Sequence, residues 1–372
     1  MGEKPTARSS AELLDWLALR LIPGVGSVTY ARLLGAFGSP GAALGAPLKQ
    51  LLTLSGLRES VARAVHQRAF AVDPQKELAA LERMGAVIVR LGEPEYPPLL
   101  AKIYAPPPLL FVRGSLAGCA DGGVAVVGSR SMSPYGRRLA GELGRDLAQA
   151  GVSLISGLAR GVDAVAHRGA LAAGGHTVGV LGCGLNVAYP REHQELIVEV
   201  ARAGAVVSEF PLNTPPAPGN FPVRNRIISG LSRAVVVVEA GLKSGSLITA
   251  RHALDQGREM FAVPGPVGAP QSAGCNALIS QGARLLTSAR DILAPGSLPP
   301  VPSAAAAGPE AAQELAPAEA ALLSLIGQEP VHIDNLARSS GLGPGELSML
   351  LLHLVLSERI LELPGKHYVV NV

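Results

Sequence analysis

From residue 86 onward the chain repeats one unit, a short run of apolar and often β-branched residues followed by a longer amphipathic stretch. The runs are AVIVRL (86–91), LLFVRG (109–114), VAVVGS (124–129), VSLISG (152–157), TVGVLGC (177–183), AVVSEF (205–210), AVVVVEA (234–240) and EMFAVPG (259–265). Helices are predicted between them near 135–150, 161–173, 190–202, 222–232 and 245–256. Runs that are apolar throughout bury both faces of a strand, and strands separated by helices pair in parallel. The rhythm therefore restricts this region to an α/β fold, a Rossmann-like and mainly parallel sheet covered by helices on both faces. Most of the runs end in Gly, Ser or Glu, at the carboxyl edge where such sheets hold ligands.

The flanks read differently. Residues 1–85 form a predicted helical domain in which IPGVGSVTYARLL (22–34) and LSGLRESVARAV (54–65) resemble each other. Each places a Gly turn before a helix. This is the helix-hairpin-helix or SAM-like pattern, whose turn can offer backbone N–H groups to a phosphate. A plain bundle with Gly-capped turns would read the same way. The sheet region is expected over 86–293, followed by a Pro/Ala-rich linker at 294–312 (APGSLPPVPSAAAAGPEAA). The last segment, 313–372, has the outline of a winged helix: helices near 317–327, 332–340 and 344–357, then a hairpin at 359–370. Its third helix carries almost no positive charge, so phosphate attraction there is weak, and a role in protein interaction or dimer stability is expected instead.

Composition narrows the function classes. With 48% hydrophobic and 16% charged residues among 372, the chain is globular. Net charge is only +3, so binding to a polyanion must come from local clusters. Arg outnumbers Lys, which suits bidentate phosphate contacts and is equally the mark of a GC-rich genome. Cys119, Cys183 and Cys275 form no CxxC pair, which supports neither a zinc site nor a disulfide framework. No apolar run is long enough to span a membrane, and the N-terminal residues lack a secretion-signal pattern. A cytoplasmic protein without metal or cofactor is expected.

Five motifs carry candidate chemistry. In VAVVGSR (124–130), the amides of Gly128 and Ser129 stand at a helix entrance and Arg130 adds a guanidinium fork. In SGLARGVDAVAH (156–167), a strand again ends in Ser-Gly, at Gly157. Asp163 reads as a helix cap or a general base, and His167 as a packed histidine. GCGLNVAYPREHQEL (182–196) has Val187 where a dinucleotide fingerprint needs Gly, and offers Arg191 as a phosphate contact. NFPVRNRIISGLS (220–232) sets Phe221 among Asn220, Arg224, Asn225 and Arg226, an aromatic face for a base beside planar polar groups. Alternatively, Phe221 is core and an arginine pairs with Glu209 or Glu239. VVEAGLKSGSLITARHAL (237–254) puts Lys243, Ser244, Gly245 and Ser246 at a helix start, a further anion cradle that is not a Walker A loop. Together these turns describe an extended polyanion groove better than a single nucleotide pocket.

The order of these residues resembles the DNA-processing protein A family (DprA, also called Smf). VAVVGSRSMSPYG, SGLARGVDAVAHRGAL, GLNVAYPREHQEL, SEFPLNTPP, NFPVRNRIISGLS, VEAGLKSGSLITARHALDQGREMFAVPG and GCNALISQGA carry the likeness across nearly all of 95–290. The resemblance implies a non-enzymatic homodimer that binds single-stranded DNA in natural transformation and delivers it to the RecA recombinase. Family DNA contacts then fall on Gly128, Ser129 and Arg130, on Phe221 and Asn225, and on Ser244 to Ser246. The lysine that some relatives carry before the aromatic is missing from PPAPGN (215–220), which shifts weight to Arg191 and Lys243. Dimerisation is expected through about 275–292. Two rival readings remain: a nucleotide-binding hydrolase using Glu209 or Glu239, and a duplex-DNA regulator acting through the winged helix.

Overall fold

The computed structural model describes residues 10–294, 296–298, 321–323, 325–326, 331–356, 360–363 and 365–370. The chain divides after residue 302 into two compact units. The expected linker falls almost wholly outside the described residues, as does most of the helix expected near 317–327.

The first unit opens with α1 (Ser10–Arg20), α2 (Ser27–Phe37), α3 (Pro40–Gly45), α4 (Leu48–Thr53), α5 (Glu59–His66) and α6 (Pro74–Arg83). The two resembling segments adopt matching turns. Gly24 and Gly56 both have left-handed backbone, at φ 86° and 71°, which a glycine adopts without Cβ strain. Val25 N donates to Ile22 O and Leu57 N to Leu54 O, each at 3.1 Å. Leu17 of α1, Leu21 just after it and Leu81 of α6 pack with Ile88 and Phe111 of the first two strands, so the helical front and the sheet share buried surface.

The rest of this unit runs β1 (Ala86–Arg90), α7 (Pro98–Ala101), β2 (Leu109–Gly114), β3 (Gly123–Val127), α8 (Pro134–Gln149), β4 (Leu154–Ser156), α9 (Val162–Ala172) and β5 (Thr177–Val180). It continues with α10 (Gln194–Ala203), β6 (Ala205–Ser208), α11 (Asn220–Gly230), β7 (Ser232–Val237), α12 (Ser246–Asp255), β8 (Glu259–Ala262), α13 (Ala273–Ser280), β9 (Arg284–Leu285) and α14 (Arg290–Leu293). The sheet order is β1-β2-β6-β5-β4-β3-β7-β8-β9. Pairing is parallel from β6 through β9, while β1 and β2 run antiparallel at one edge.

Strand residues alternate between two cores, as the pleat requires. Ala125, Val127, Val235 and Val237 pack with Ile227, Ile228, Ala250 and Ala253 of α11 and α12. Their neighbours Val124, Val126, Ala234 and Val236 pack with Leu139, Leu143, Val162 and Ala166 of α8 and α9. From β3 the chain steps outward through β4, β5 and β6, then returns to place β7 on the other flank of β3. The β3/β7 seam is thus the switch point, where the loops leaving neighbouring strands part and open a crevice.

Strands β3 and β4 stop short of the glycine that ends their runs, β3 at Val127 before Gly128 and β4 at Ser156 before Gly157. The helix expected from 190 begins at Gln194, after a 3₁₀ turn over Arg191–His193. The short elements α7, α13 and β9 were not anticipated from the apolar rhythm.

In the second unit, β10 (Val331–His332), α15 (Ile333–Ser340), α16 (Pro344–Leu356), β11 (Ile360–Leu363) and β12 (His367–Val370) form a winged helix. Its antiparallel sheet has the order β10-β12-β11. Leu336, Leu347, Leu351, Leu354, Ile360 and Tyr368 fill its core.

One buried histidine ties α9 to the sheet. Thr177 Oγ1 donates to Leu154 O at 2.9 Å, so at 2.7 Å His167 Nδ1 must be the donor to Thr177 Oγ1. Burial pulls His167 down to about 3. Below the unfolded value of about 6.5, the unfolded chain takes up a proton that the folded chain refuses, so stability falls on acidification. Urea titrations from about pH 7 to 5 are expected to show a loss approaching ~1.4 kcal/mol per pH unit from this group. His167→Gln is expected to flatten that slope, and an equal slope in the variant would contradict the assignment.

Candidate functional site

Ser129 lies at the centre of the crevice. Its amide donates to Glu239 O at 2.7 Å and its carbonyl accepts from Val162 N at 3.1 Å. These two bonds lock the loop after β3 to those after β7 and β4. Gly161 has φ 81°, and an added Cβ would lie 2.1 Å from Ser129 O. Only glycine fits that approach.

The loops frame a groove of about 710 Å³. Gly128, Ser129 and Arg130 of the loop after β3 line it, as do Lys243, Ser244, Gly245 and Ser246 of the loop after β7. Helix α11 supplies Phe221, Arg224, Asn225 and Ile228, spaced i, i+3, i+4 and i+7 on one helical face. A smaller pocket adjoins it, lined by Arg130, Gly157, Arg160, Gly182, Tyr189, Phe221 and Arg224 among others.

Phe221 is half-buried at the junction of the two. Its ring lies 5.4 Å from that of Tyr189, and Arg130 Cζ stands 5.6 Å from its centroid. Gly182 makes room for it, since a Cβ there would come within 2.9 Å of the ring. Arg130 and Lys243 are exposed, the two cations on the groove walls that solvent reaches freely.

The two arginines of the α11 run serve the protein itself, which corrects the expectation that Arg224 and Arg226 both stand beside Phe221 for a ligand; the alternative of an arginine paired with Glu209 holds for Arg226. Arg224 is 4% exposed. It donates to the carbonyls of Gly157 and Val180, so it clamps the ends of β4 and β5 beneath the groove. Burial lowers its guanidinium to about 10, with the Asp163 carboxylate opposing. Arg226 turns away from the groove to pair with Glu209 at 2.5 Å and to bond Ala105 O at 2.7 Å. Ser27 of the helical front also reaches Glu209 and Arg226, both at 3.3 Å. Helical phase accounts for this: position 226 falls off the 221/224/225/228 face.

Asn220 lies outside both pockets and donates to Pro215 O at 3.3 Å. Arg191 is exposed and also lines neither. Asn225 is buried and reaches Gly245 O at 3.4 Å, which braces α11 against the 243–246 turn. Ser244 and Ser246 share a hydroxyl–hydroxyl bond of 2.8 Å. Asp163 is neither cap nor free base. Gly161 is the N-cap of α9, while Asp163 accepts from the amides of Gly157 and Ala159 at 3.1 and 3.3 Å, stiffening the turn before it.

The sequence reading missed Tyr189 and Arg160. Both line the smaller pocket and lie within the quoted motifs, but neither carries a spacing signal of its own. Glu239 is buried; its Oε2 accepts from Ser133 N at 2.8 Å at the start of α8. Neither Glu209 nor Glu239 lines the groove. Among the described residues no group of His, Cys, Asp and Glu is placed to hold a metal, and no helix is long and apolar enough to cross a membrane.

The structural and surface cations are separable by stability. Arg224→Met removes the donors to two strand-end carbonyls and the buried counter-charge of Asp163, and is expected to cost ~3–5 kcal/mol in urea unfolding. Lys243→Ala is expected to stay within about 0.5 kcal/mol of the parent. Equal losses would contradict the division.

The sequence profile of the DNA recombination-mediator protein A family matches residues 87–295, and that of the DprA winged helix domain matches 305–366. Protein Smf of Escherichia coli is 44% identical over 297 residues, 78% of this chain and 79% of that one. The X-ray structure of DNA processing protein A from Streptococcus pneumoniae superposes with a TM-score of 0.66 at 34% identity, covering 76% of this chain and 97% of that one. DNA processing protein A from Helicobacter pylori, solved to describe its single-stranded DNA binding mode, gives 0.51 at 30% identity and covers 56% and 94%.

Proposed function

This chain belongs to the DNA recombination-mediator protein A family, and from that premise we propose that its groove grips single-stranded DNA. The carrying observation is the groove itself, lined by exposed Arg130 and Lys243 together with half-buried Phe221. A phosphodiester backbone needs cations and amides along a track, while an unpaired base needs an aromatic surface. Phe221 and Tyr189 are adjacent aromatic surfaces for a base. Gly128, Ser129 and the 244–246 turn line the track, and Gly157 and Asn225 hold it in shape. The relative from H. pylori binds single-stranded DNA, which supports the same reading here.

In this reading the protein is a cytoplasmic binding and handover factor, not an enzyme. It shields the strand during natural transformation and passes it to a RecA recombinase. Residues 1–85, 86–293 and 313–372 act as helical, DNA-binding and winged-helix domains, joined by a linker at 294–312. A homodimer through about 275–292 sets two grooves side by side, a state that gel filtration at micromolar concentration would show as twice the chain mass. An exclusively monomeric peak removes that part. The engagement of Glu239 with Ser133 and of Glu209 with Arg226 favours binding over hydrolysis.

Binding to oligo-dT and to duplex of equal length, followed by anisotropy over a salt series, tests the proposal. Single strand is expected to bind tighter. Arg130→Ala is expected to reduce the slope of log K against log salt by about 0.7, one phosphate released. Phe221→Ala is expected to cost ~1–3 kcal/mol of affinity with little change of slope. Equal affinity for duplex, or parental behaviour of both variants, contradicts the groove as the site.

A further inference from the structure

We propose that Arg160 is a further phosphate ligand of this groove, held off the strand by Glu192 until a phosphodiester displaces that carboxylate. The inference rests on the single-strand reading above and adds a residue and a regulating contact to it.

Arg160 lines the smaller pocket with Arg130, Tyr189 and Phe221. Its position is rigid even though its side chain is exposed. Asp163 fixes the turn that carries it through the amides of Gly157 and Ala159. The next residue, Gly161, lies against Ser129 and Arg130, with room for no Cβ. The backbone that bears Arg160 therefore abuts the backbone that bears Arg130, and the two guanidinium stems rise from adjoining turns at the rim.

Glu192 comes from the Arg191–His193 turn after β5. That turn is pinned to the Arg160 turn from below, where His193 Nδ1 meets Leu158 O at 2.9 Å. Above this buried tie, Arg160 Nε and Glu192 Oε1 close an ion pair in solvent, with side chains 63% and 50% exposed. Two turns held together underneath do not need this pair, because exposed ion pairs contribute little to stability. A phosphate oxygen offers the same fork-shaped partner as a carboxylate. Exchange of one for the other turns Arg160 toward the strand and leaves Glu192 to water. Glu192 thus weakens binding by competing for one cation.

Full-length protein and oligo-dT anisotropy at low salt test this with a double-mutant cycle. Arg160→Ala is expected to weaken binding and lower the salt slope by about 0.7. Glu192→Gln is expected to tighten binding about threefold to fivefold, the range a surface pair allows. In the Arg160→Ala background, Glu192→Gln is expected to change nothing. Glu195→Gln, an exposed acid on the following helix, is expected to match the parent. If Glu192→Gln tightens binding equally in both backgrounds, Glu192 acts through the general field and the exchange is overturned. If Arg130→Ala weakens binding while the Arg160 and Glu192 variants match the parent, the groove reading stands and this inference fails alone. No binding of oligo-dT by the parent overturns both.

Discussion

The two backbone hydrogen bonds of Ser129 hold the site together. Through them the loops leaving β3, β4 and β7 fix one another before any ligand arrives. Because these strands flank the switch point, the bonded loops stand open as the walls of a crevice. Arg224, under the floor, joins the ends of β4 and β5 to α11 in the same way. A flexible polyanion that enters such a groove loses its own freedom, but the protein has little left to order, and that saving appears as affinity.

Polar groups divide by depth. Deep ones are consumed internally: Arg224 on strand-end carbonyls, Asp163 on turn amides, Glu239 on the start of α8, Arg226 on Glu209. Each is an obligation of burial, since a charge without a partner there costs several kcal/mol. Shallow ones, Arg130, Arg160 and Lys243, are exposed and are the cations proposed to meet phosphate. A chain of net charge +3 can therefore present a basic rim without general basicity. The pairing of Ser27 with Glu209 and Arg226 extends the internal set to the helical front, linking α2 to the helix that bears Phe221.

Much of this was legible in the sequence because two periodicities are strong. Apolar β-branched runs marked β1 to β8, and their Gly/Ser endings marked the rim; Gly128 to Arg130 and Lys243 to Ser246 lie where those endings point. Phe221 was legible as an aromatic among planar polar residues. The direction of each arginine was not. Arg224 and Arg226 look alike in FPVRNR, and only the phase of α11 sends one beneath the groove and the other toward Glu209. Arg191 and Asn220 illustrate the same limit, since residues within a motif need not line the groove its neighbours form. Short elements such as α13 and β9 escaped because so few residues carry no period.

Amide hydrogen exchange on the full-length protein, with and without oligo-dT at saturating concentration, tests the central claim most directly. Protection is predicted at 128–131, 157–161, 220–226 and 241–248, the segments that meet at the β3/β7 crevice, with the amides of α15 and α16 unchanged. Protection confined to α15 and α16, or to the helices before β1, would contradict a strand held at the rim of the sheet.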